Sequence, residues 1–208
     1  MNVAVLASGS GTNLQALLDS EAQGTLGAHI RLVISNRSRA GALERARRLG
    51  REALHLSPSQ FTSEAEYVTR LLDLLAGHSI GLVCLAGYLK MLPAAVVNAY
   101  AGRVLNIHPA PLPRFGGPGM FGEHVHLAVL ASGVSHSGPT VHFVDQHYDT
   151  GPIAAHTPVP VLPGDTPETL AARVLQAEHR LYPRVVAAVA AGRLRLADGQ
   201  VIGQLDAE

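Results

Sequence analysis

Short apolar runs alternate with segments of helical spacing along the first half of the chain. Residues 3–7 form a continuous apolar run, and the glycine-rich segment Ser8-Gly9-Ser10-Gly11 follows it. Residues 13–18 then carry apolar side chains at helical spacing, which predicts a strand, a glycine turn and a helix in that order. The alternation continues, with strands predicted at 30–35, 53–56 and 82–86 and helices at 41–49 and 63–75.

The second half of the chain extends this pattern. A short helix is predicted after Pro93, a long helix from Pro167 to Ala191, and a terminal hairpin around Asp198-Gly199. The remaining predicted elements are a helix at 123–131 and strands at 104–108, 140–144 and 153–161. Because apolar strands that alternate with helices are typical of parallel sheets, we predict a doubly wound α/β fold. It has a mostly parallel twisted sheet, helices on both faces and an antiparallel C-terminal edge.

The composition limits the number of domains, the partners and the compartment. A chain of 208 residues that is 47% hydrophobic suits one domain, or two small lobes that share a core. Sixteen Lys and Arg balance sixteen Asp and Glu, so the chain lacks the basic field that binding to nucleic acid requires. No apolar stretch approaches the roughly 20 residues of a membrane helix, and no basic leader precedes the first strand. We therefore expect a cytoplasmic protein without nucleic-acid or membrane partners.

A metal site is not indicated by the sequence. The single cysteine, Cys84, lies in the apolar run 82–86, which excludes a disulfide and a cysteine-rich metal site. His124 and His126 lie two residues apart on a predicted helix, so their side chains do not share a face. The chain contains no His-Glu-X-X-His pattern, and we expect no metal.

The first candidate motif is the loop Gly9-Ser10-Gly11-Thr12-Asn13 between the first strand and the first helix. Its glycines allow a tight turn whose N–H groups point at an anion, which favours a phosphate site. The dinucleotide fingerprint needs glycine where Leu14 stands, and Asn36 replaces the acidic residue expected after the second strand. A dehydrogenase is therefore disfavoured. A mononucleotide-style phosphate loop remains, with a plain tight turn as the alternative.

Three polar side chains lie at the predicted ends of strands in the second half. In Asn106-Ile107-His108-Pro109, alternation along the strand puts the Asn106 and His108 side chains on the same side. An amide can donate to a developing oxyanion, and an imidazole can move protons near neutral pH. Asp149 ends a polar loop, and near His108 its carboxylate would hold the ring or accept a proton through water. The alternative is that each residue only satisfies its own loop.

Together these motifs resemble the folate-dependent formyltransferases, and among them the phosphoribosylglycinamide formyltransferase (glycinamide ribonucleotide transformylase) family. The resemblance covers nearly the whole chain and rests on residues 8–15, 85–89, 106–109 with Leu112-Pro113, 149–152 and 177–183. It implies one formyltransferase domain over residues 1–208. Residues 1–100 would be its phosphate- and nucleotide-binding half, and residues 101–208 its catalytic and folate-binding half.

The resemblance also implies an activity and a role for each site residue. The activity is transfer of the formyl group of 10-formyltetrahydrofolate to the amine of glycinamide ribonucleotide, in purine biosynthesis and without a metal. Asn106 and His108 would stabilise the oxyanion, and Asp149 would hold His108 and an ordered water that relays the proton. The residues implied for phosphate and ribose binding are Gly11, Thr12, Asn13 and Glu178. Those implied for folate binding are Tyr88, Leu89, Lys90, Met91, Leu92, Asp145 and His147. The Leu112-Pro113 bond is expected to be cis.

Some positions depart from the family pattern. Lys90 stands where bacterial relatives often have Arg, and Glu64 stands where a basic residue can approach the glutamate tail of the folate. Leu175 replaces a residue that is often polar near the nucleotide. The glycine-rich segment 116–121 is longer than usual, which predicts a mobile flap beside the catalytic strand.

Two other functions share these residues in part. A 10-formyltetrahydrofolate hydrolase uses the same three catalytic residue types with water as the acceptor, but its family carries an additional N-terminal domain and has no use for a phosphate loop. A non-catalytic nucleotide-binding module would keep the loop and lose the three polar residues, and here all three are present. A monomer and a homodimer are both compatible with the sequence.

Overall fold

A seven-stranded mixed sheet forms the centre of the computed structural model, which describes residues 1–205. The end of the predicted domain, residues 206–208, lies outside the described residues. The strands are β1 (Asn2–Leu6), β2 (His29–Ser35), β3 (Glu52–His55), β4 (Ile80–Leu85), β5 (Val104–His108), β6 (His136–Ser137), β7 (Thr140–Phe143), β8 (Ile153–His156), β9 (Val159–Pro160), β10 (Arg195–Ala197) and β11 (Gln200–Ile202). The order in the large sheet is β3-β2-β1-β4-β5-β7-β8. Strands β1 to β5 are parallel and β7 and β8 are antiparallel, which confirms the predicted fold class.

Helices cover both faces of this sheet. They are α1 (Thr12–Ala22), α2 (Gly41–Arg48), α3 (Glu64–Gly77), α4 (Ala94–Ala99), α5 (Glu123–Ala131) and α6 (Pro167–Ala190), with a 3₁₀ turn at Pro58–Gln60. Leu17 of α1, Leu43 of α2 and Val185 of α6 belong to one buried apolar cluster. Leu71 of α3 and Val96 of α4 belong to a second buried cluster. The apolar strands are therefore packed on both sides, as their sequence predicts.

The long helix α6 is tied to the edge of the sheet where the parallel strands end. Thr166 caps it by accepting a hydrogen bond from the Thr169 N–H at 3.3 Å, and Pro167 occupies the first turn, as predicted. The buried Tyr182 hydroxyl lies 2.9 Å from the carbonyl oxygen of Leu85 and 3.2 Å from that of Leu105. Because Glu178 lies one turn earlier on α6, this anchoring brings its side chain to the same edge.

The single strand predicted at 153–161 is wrong. The chain forms β8, which pairs with β7, and then the separate short strand β9, which pairs with β6 in a two-stranded sheet. Pro158 lies between them and lacks the N–H that a continuous ladder needs. The terminal hairpin is confirmed as β10 and β11, and the Leu112-Pro113 bond is cis, as expected. Among residues 1–205, none of the helices combines the length and apolar character needed to cross a membrane.

Candidate active site

A cavity of about 290 Å³ opens where the parallel strands β1, β4 and β5 end. The chain leaves β1 toward β2 on one side and β4 toward β5 on the other, so the cavity lies at the topological switch point of the sheet. Open α/β sheets bind ligands in this crevice. The cavity lining includes every predicted site residue apart from Gly11 and Thr12, which lie in the adjacent loop and at the start of α1.

Asn106 is held between two neighbours at the floor of the cavity. Strands β5 and β7 are antiparallel, and their register puts Asn106 directly opposite His142. The Asn106 Nδ2 atom lies 3.1 Å from His142 Nε2 and donates to Asp149 Oδ1 at 3.3 Å. Sequence reasoning missed His142: the strand carrying it was predicted, but its pairing partner and register were not. The available signal was the alternation that puts His142 on the same face as Thr140.

Asp149 presents its carboxylate to three further groups besides Asn106. Its Oδ2 atom accepts from the Gly117 N–H at 3.0 Å and lies 3.6 Å from His108 Nδ1, while Oδ1 lies 3.5 Å from His142 Nε2. Burial by itself raises the pKa of Asp149, but His108 and the Gly117 N–H oppose this effect, and the pKa lies below its usual value. The carboxylate is therefore ionised at neutral pH. The backbone φ of Asp149 is 55°, a left-handed conformation that Asp tolerates better than most residues.

His108 is buried and has an oxygen beside each ring nitrogen. Its Nε2–H donates to the Phe115 carbonyl oxygen at 2.8 Å, and its Nδ1 faces Asp149. Burial lowers the pKa of His108, and the Asp149 charge and the Phe115 carbonyl oppose this effect only in part. Both neighbouring oxygens can only accept, so they stabilise the positive charge on the ring when it takes up a proton.

Gly116 leaves no room for a side chain between Asp149 and the preceding loop. A Cβ atom built on Gly116 would lie 2.8 Å from the Cβ of Asp149 and 2.5 Å from Leu112 Cδ2. We expect Gly116→Ala to displace Asp149 and to lower kcat about tenfold or more, because small misplacements of catalytic groups are costly. Steady-state kinetics measures this effect. Gly77→Ala is the control, because no atom lies within 4 Å of its added Cβ, and a wild-type kcat in both variants would refute the expectation.

The phosphate-loop candidate presents the open N-terminus of α1. Gly11 has a φ of 78°, and a Cβ atom there would lie 2.6 Å from Ala42 Cα, so only glycine fits. Arg45 Nε donates to the Ser10 carbonyl oxygen at 2.8 Å and fixes the other side of the loop. No side chain of the N-cap residue caps α1, so the N–H groups of its first turn are available to an anion.

Asn13 and Glu178 form a buried polar pair at one end of the cavity. Asn13 Nδ2 donates to Glu178 Oε2 at 2.5 Å, and the buried Oδ1 of Asn13 has no hydrogen-bond partner among the described residues. Burial raises the pKa of Glu178, and the bond from Asn13 only partly offsets this. A ligand that brings hydroxyl donors to this pair would satisfy polar atoms that the protein leaves open.

The buried carboxylate of Glu178 faces the cavity, where it can bind a ligand, but we expect it to lower the stability of the fold when it is ionised. Because the folded state raises this pKa, the ionised carboxylate destabilises the fold above the folded pKa, and the penalty disappears below the unfolded value. We expect Glu178→Gln to raise Tm by about 2 °C or more at pH 8 and hardly at all at pH 4. Glu21→Gln is the matched control: Glu21 is buried beside Arg51 at 3.1 Å, so its loss should lower Tm. Thermal melts at both pH values decide, and a lower Tm for Glu178→Gln at pH 8 contradicts the prediction.

Residues 87–92 form part of the cavity wall. The Ser8 hydroxyl holds this wall by accepting from the Leu89 N–H at 2.9 Å and donating to Asn36 Oδ1 at 2.6 Å. Tyr88 is buried with its hydroxyl 3.3 Å from that of Tyr67, whereas Lys90 is exposed at the rim. The wall thus offers apolar surface and main-chain polar groups in a fixed position.

The loop from Val144 to Asp149 closes the remaining side. Asp145 Oδ1 accepts from the His147 N–H at 3.0 Å and from Thr150 Oγ1 at 2.8 Å, so the Asp145 carboxylate shapes its own loop. The His147 side chain is exposed at the mouth of the cavity. Among residues 1–205, His, Cys, Asp and Glu side chains form no group of three or more that could hold a metal.

The protein has the architecture of an α/β enzyme: a doubly wound sheet with an amide, an imidazole and a carboxylate around its switch-point cavity. Residues 1–186 match the family model described as formyl transferase, and the chain belongs to this family. It is 43% identical over 198 residues to the chloroplastic phosphoribosylglycinamide formyltransferase of Arabidopsis thaliana, covering 93% of this chain and 66% of that protein, just under two thirds of its length. The phosphoribosylglycinamide formyltransferase of Escherichia coli K12 is 40% identical over 196 residues, covering 94% of this chain and 90% of that protein. The crystal structure of glycinamide ribonucleotide transformylase 1 from Symbiobacterium toebii superimposes with a TM-score of 0.91 at 42% identity, covering 98% and 94% of the two chains.

Proposed function

We propose that the protein transfers the formyl group of 10-formyltetrahydrofolate to the amine of glycinamide ribonucleotide, forming formylglycinamide ribonucleotide and tetrahydrofolate in de novo purine biosynthesis. The observation that carries the proposal is the convergence of Asn106, His108 and Asp149 in one cavity. The Asn13 and Glu178 pair and the wall of residues 87–92 line the same cavity. Membership of the formyl transferase family and the names of the relatives in purine synthesis support it.

The three side chains supply what this reaction needs. An amine that attacks a formyl carbon requires a donor for the oxygen and an acceptor for its own proton. As the new C–N bond forms, the carbonyl electron pair moves onto oxygen, where an N–H group of Asn106 and the Nδ1–H of the protonated His108 ring stabilise it. The ionised Asp149 takes the amine proton through a water. The tetrahedral species then expels the folate nitrogen, which receives that proton as the C–N bond to the folate breaks.

The substrates occupy opposite ends of the cavity in this proposal. The phosphate binds the N–H groups of Gly11, Thr12 and Asn13, and the ribose hydroxyls bind Glu178. The pteridine packs against residues 88–92, mostly through main-chain groups, with Asp145 and His147 closing over it. Residues 1–100 then contribute the phosphate loop and the wall of residues 88–92, and residues 101–208 contribute the catalytic side chains and Glu178 of one domain. The partners are these small molecules, and the compartment is the cytoplasm.

A spectrophotometric assay of the release of a tetrahydrofolate analogue tests the proposal. We expect release only in the presence of glycinamide ribonucleotide, with one formylated nucleotide formed for each folate released. Release at the same rate without the nucleotide identifies a hydrolase, because water then serves as the acceptor. No release under either condition, with both ligands bound, identifies a non-catalytic binding module.

A further inference from the structure

His142 has a defined hydrogen-bonding state at the floor of the cavity. It is only 1% exposed and lies opposite Asn106 across β5 and β7. Its Nδ1 atom lies 3.0 Å from the carbonyl oxygen of Phe143, and its Nε2 atom lies 3.1 Å from Asn106 Nδ2. A carbonyl oxygen can only accept, so Nδ1 carries the proton. In the neutral ring Nε2 then has a lone pair and accepts from the Asn106 amide.

This bond determines which way the Asn106 carboxamide faces. In the observed orientation its nitrogen donates to His142 Nε2 and to Asp149 Oδ1, at 3.1 and 3.3 Å. In the reversed orientation the amide oxygen would face the His142 lone pair and the Asp149 carboxylate with no proton between them. Without the lone pair on His142, only the longer bond to Asp149 would oppose reversal.

We propose that His142 is a positioning residue for Asn106 in the formyl transfer, an inference that rests on the proposed function. In its Nδ1–H tautomer, His142 holds one N–H of Asn106 throughout the reaction. The other N–H, which meets Asp149 in the free protein, donates to the formyl oxygen as negative charge develops there. His142 itself does not touch the reacting atoms.

A protonated His142 ring would not position Asn106. An imidazolium carries hydrogen on both nitrogens, and the Asn106 amide nitrogen has no lone pair with which to accept. The charged His142 would instead direct Nε2–H at Asp149 Oδ1, which lies 3.5 Å away. The neutral Nδ1–H tautomer is therefore the state that positions Asn106.

Long-range ¹H–¹⁵N correlation spectra of the full-length ¹⁵N-labelled protein test the tautomer directly. The His142 signals are assigned by their absence from the spectrum of His142→Gln. We expect a protonated Nδ1 and an unprotonated Nε2 at neutral pH. Protonation at Nε2, alone or together with Nδ1, overturns the proposal.

Two substitutions of His142 test its role in turnover. The carbonyl oxygen of Gln reaches about as far as Nε2 and can accept from Asn106, whereas Leu carries no acceptor. We expect His142→Leu to lower kcat about tenfold to a hundredfold while both KM values stay within about twofold, and His142→Gln to recover most of the loss. His156→Leu, on the neighbouring strand β8 and exposed, is the control and should keep the wild-type kcat.

The outcomes separate this inference from the proposed function. Equal losses in His142→Leu and His142→Gln, or a folded His142→Leu with wild-type kcat, overturn the positioning role. Thermal melts show whether the Leu variant is folded. If it is not, the Gln variant and the tautomer measurement still test the proposal. If the wild-type protein transfers no formyl group although the tautomer is as expected, the proposed function fails and the contact between His142 and Asn106 stands.

Discussion

Asp149→Asn is expected to leave the binding of glycinamide ribonucleotide nearly intact and to lower kcat by about a thousandfold. The asparagine keeps the shape of the side chain and can still accept from the Gly117 N–H, but it has no charge and cannot take up the amine proton. It also removes the carboxylate that lies 3.6 Å from His108 Nδ1. Titration calorimetry measures nucleotide affinity, and single-turnover kinetics measures the transfer step.

Asp73→Asn is the control for this result. Asp73 is exposed on α3, so its substitution removes the same charge at a distance from the cavity. We expect wild-type kinetics from it. Normal turnover by Asp149→Asn would remove Asp149 from the proton transfer.

Asn106→Ala is expected to lower kcat about a hundredfold or more with little change in either KM. Loss of one oxyanion donor typically raises the barrier by about 3 kcal/mol, and the oxyanion exists only in the transition state and the intermediate. An equal loss in kcat and kcat/KM is the signature of such an interaction. Steady-state kinetics with each substrate varied in turn measures it.

Asn2→Ala separates this effect from a general loss of an amide in the sheet. Asn2 lies at the opposite end of the strands, where its Nδ2 donates to the His78 carbonyl oxygen at 3.0 Å. We expect it to change stability and leave kcat unaltered. A rise in KM with unchanged kcat for Asn106→Ala would assign Asn106 to substrate binding instead of oxyanion stabilisation.

Most of the fold can be predicted from local patterns. The apolar strands and their intervening helices specify the parallel part of the sheet, and Thr166 with Pro167 marks the start of α6. The wrong prediction of a single strand at 153–161 also has a local cause. Pro158 interrupts the hydrogen-bond ladder, but the prediction followed the apolar content of the segment. The two-residue strand β6 has no periodicity to detect, because it is defined by its pairing with β9.

The contacts between site residues depend on information that the sequence pattern does not contain. Alternation along one strand puts Asn106 and His108 on the same side, and the resemblance adds Asp149 to them. The antiparallel register that sets His142 opposite Asn106 arises from the pairing of β5 with β7. The bond from the Gly117 N–H to Asp149 joins two loops that are 32 residues apart. Such contacts are tertiary, and a one-residue slip in register would remove the first of them.

The most direct test of the central claim is a crystal structure of the protein with glycinamide ribonucleotide and a folate analogue that carries a non-transferable carbonyl group. We expect the carbonyl oxygen within hydrogen-bond distance of Asn106 Nδ2, the phosphate at the N-terminus of α1, and the carboxylate of Asp149 beside His108. A carbonyl group bound away from Asn106, with the Asp149 carboxylate turned into solvent, would contradict it.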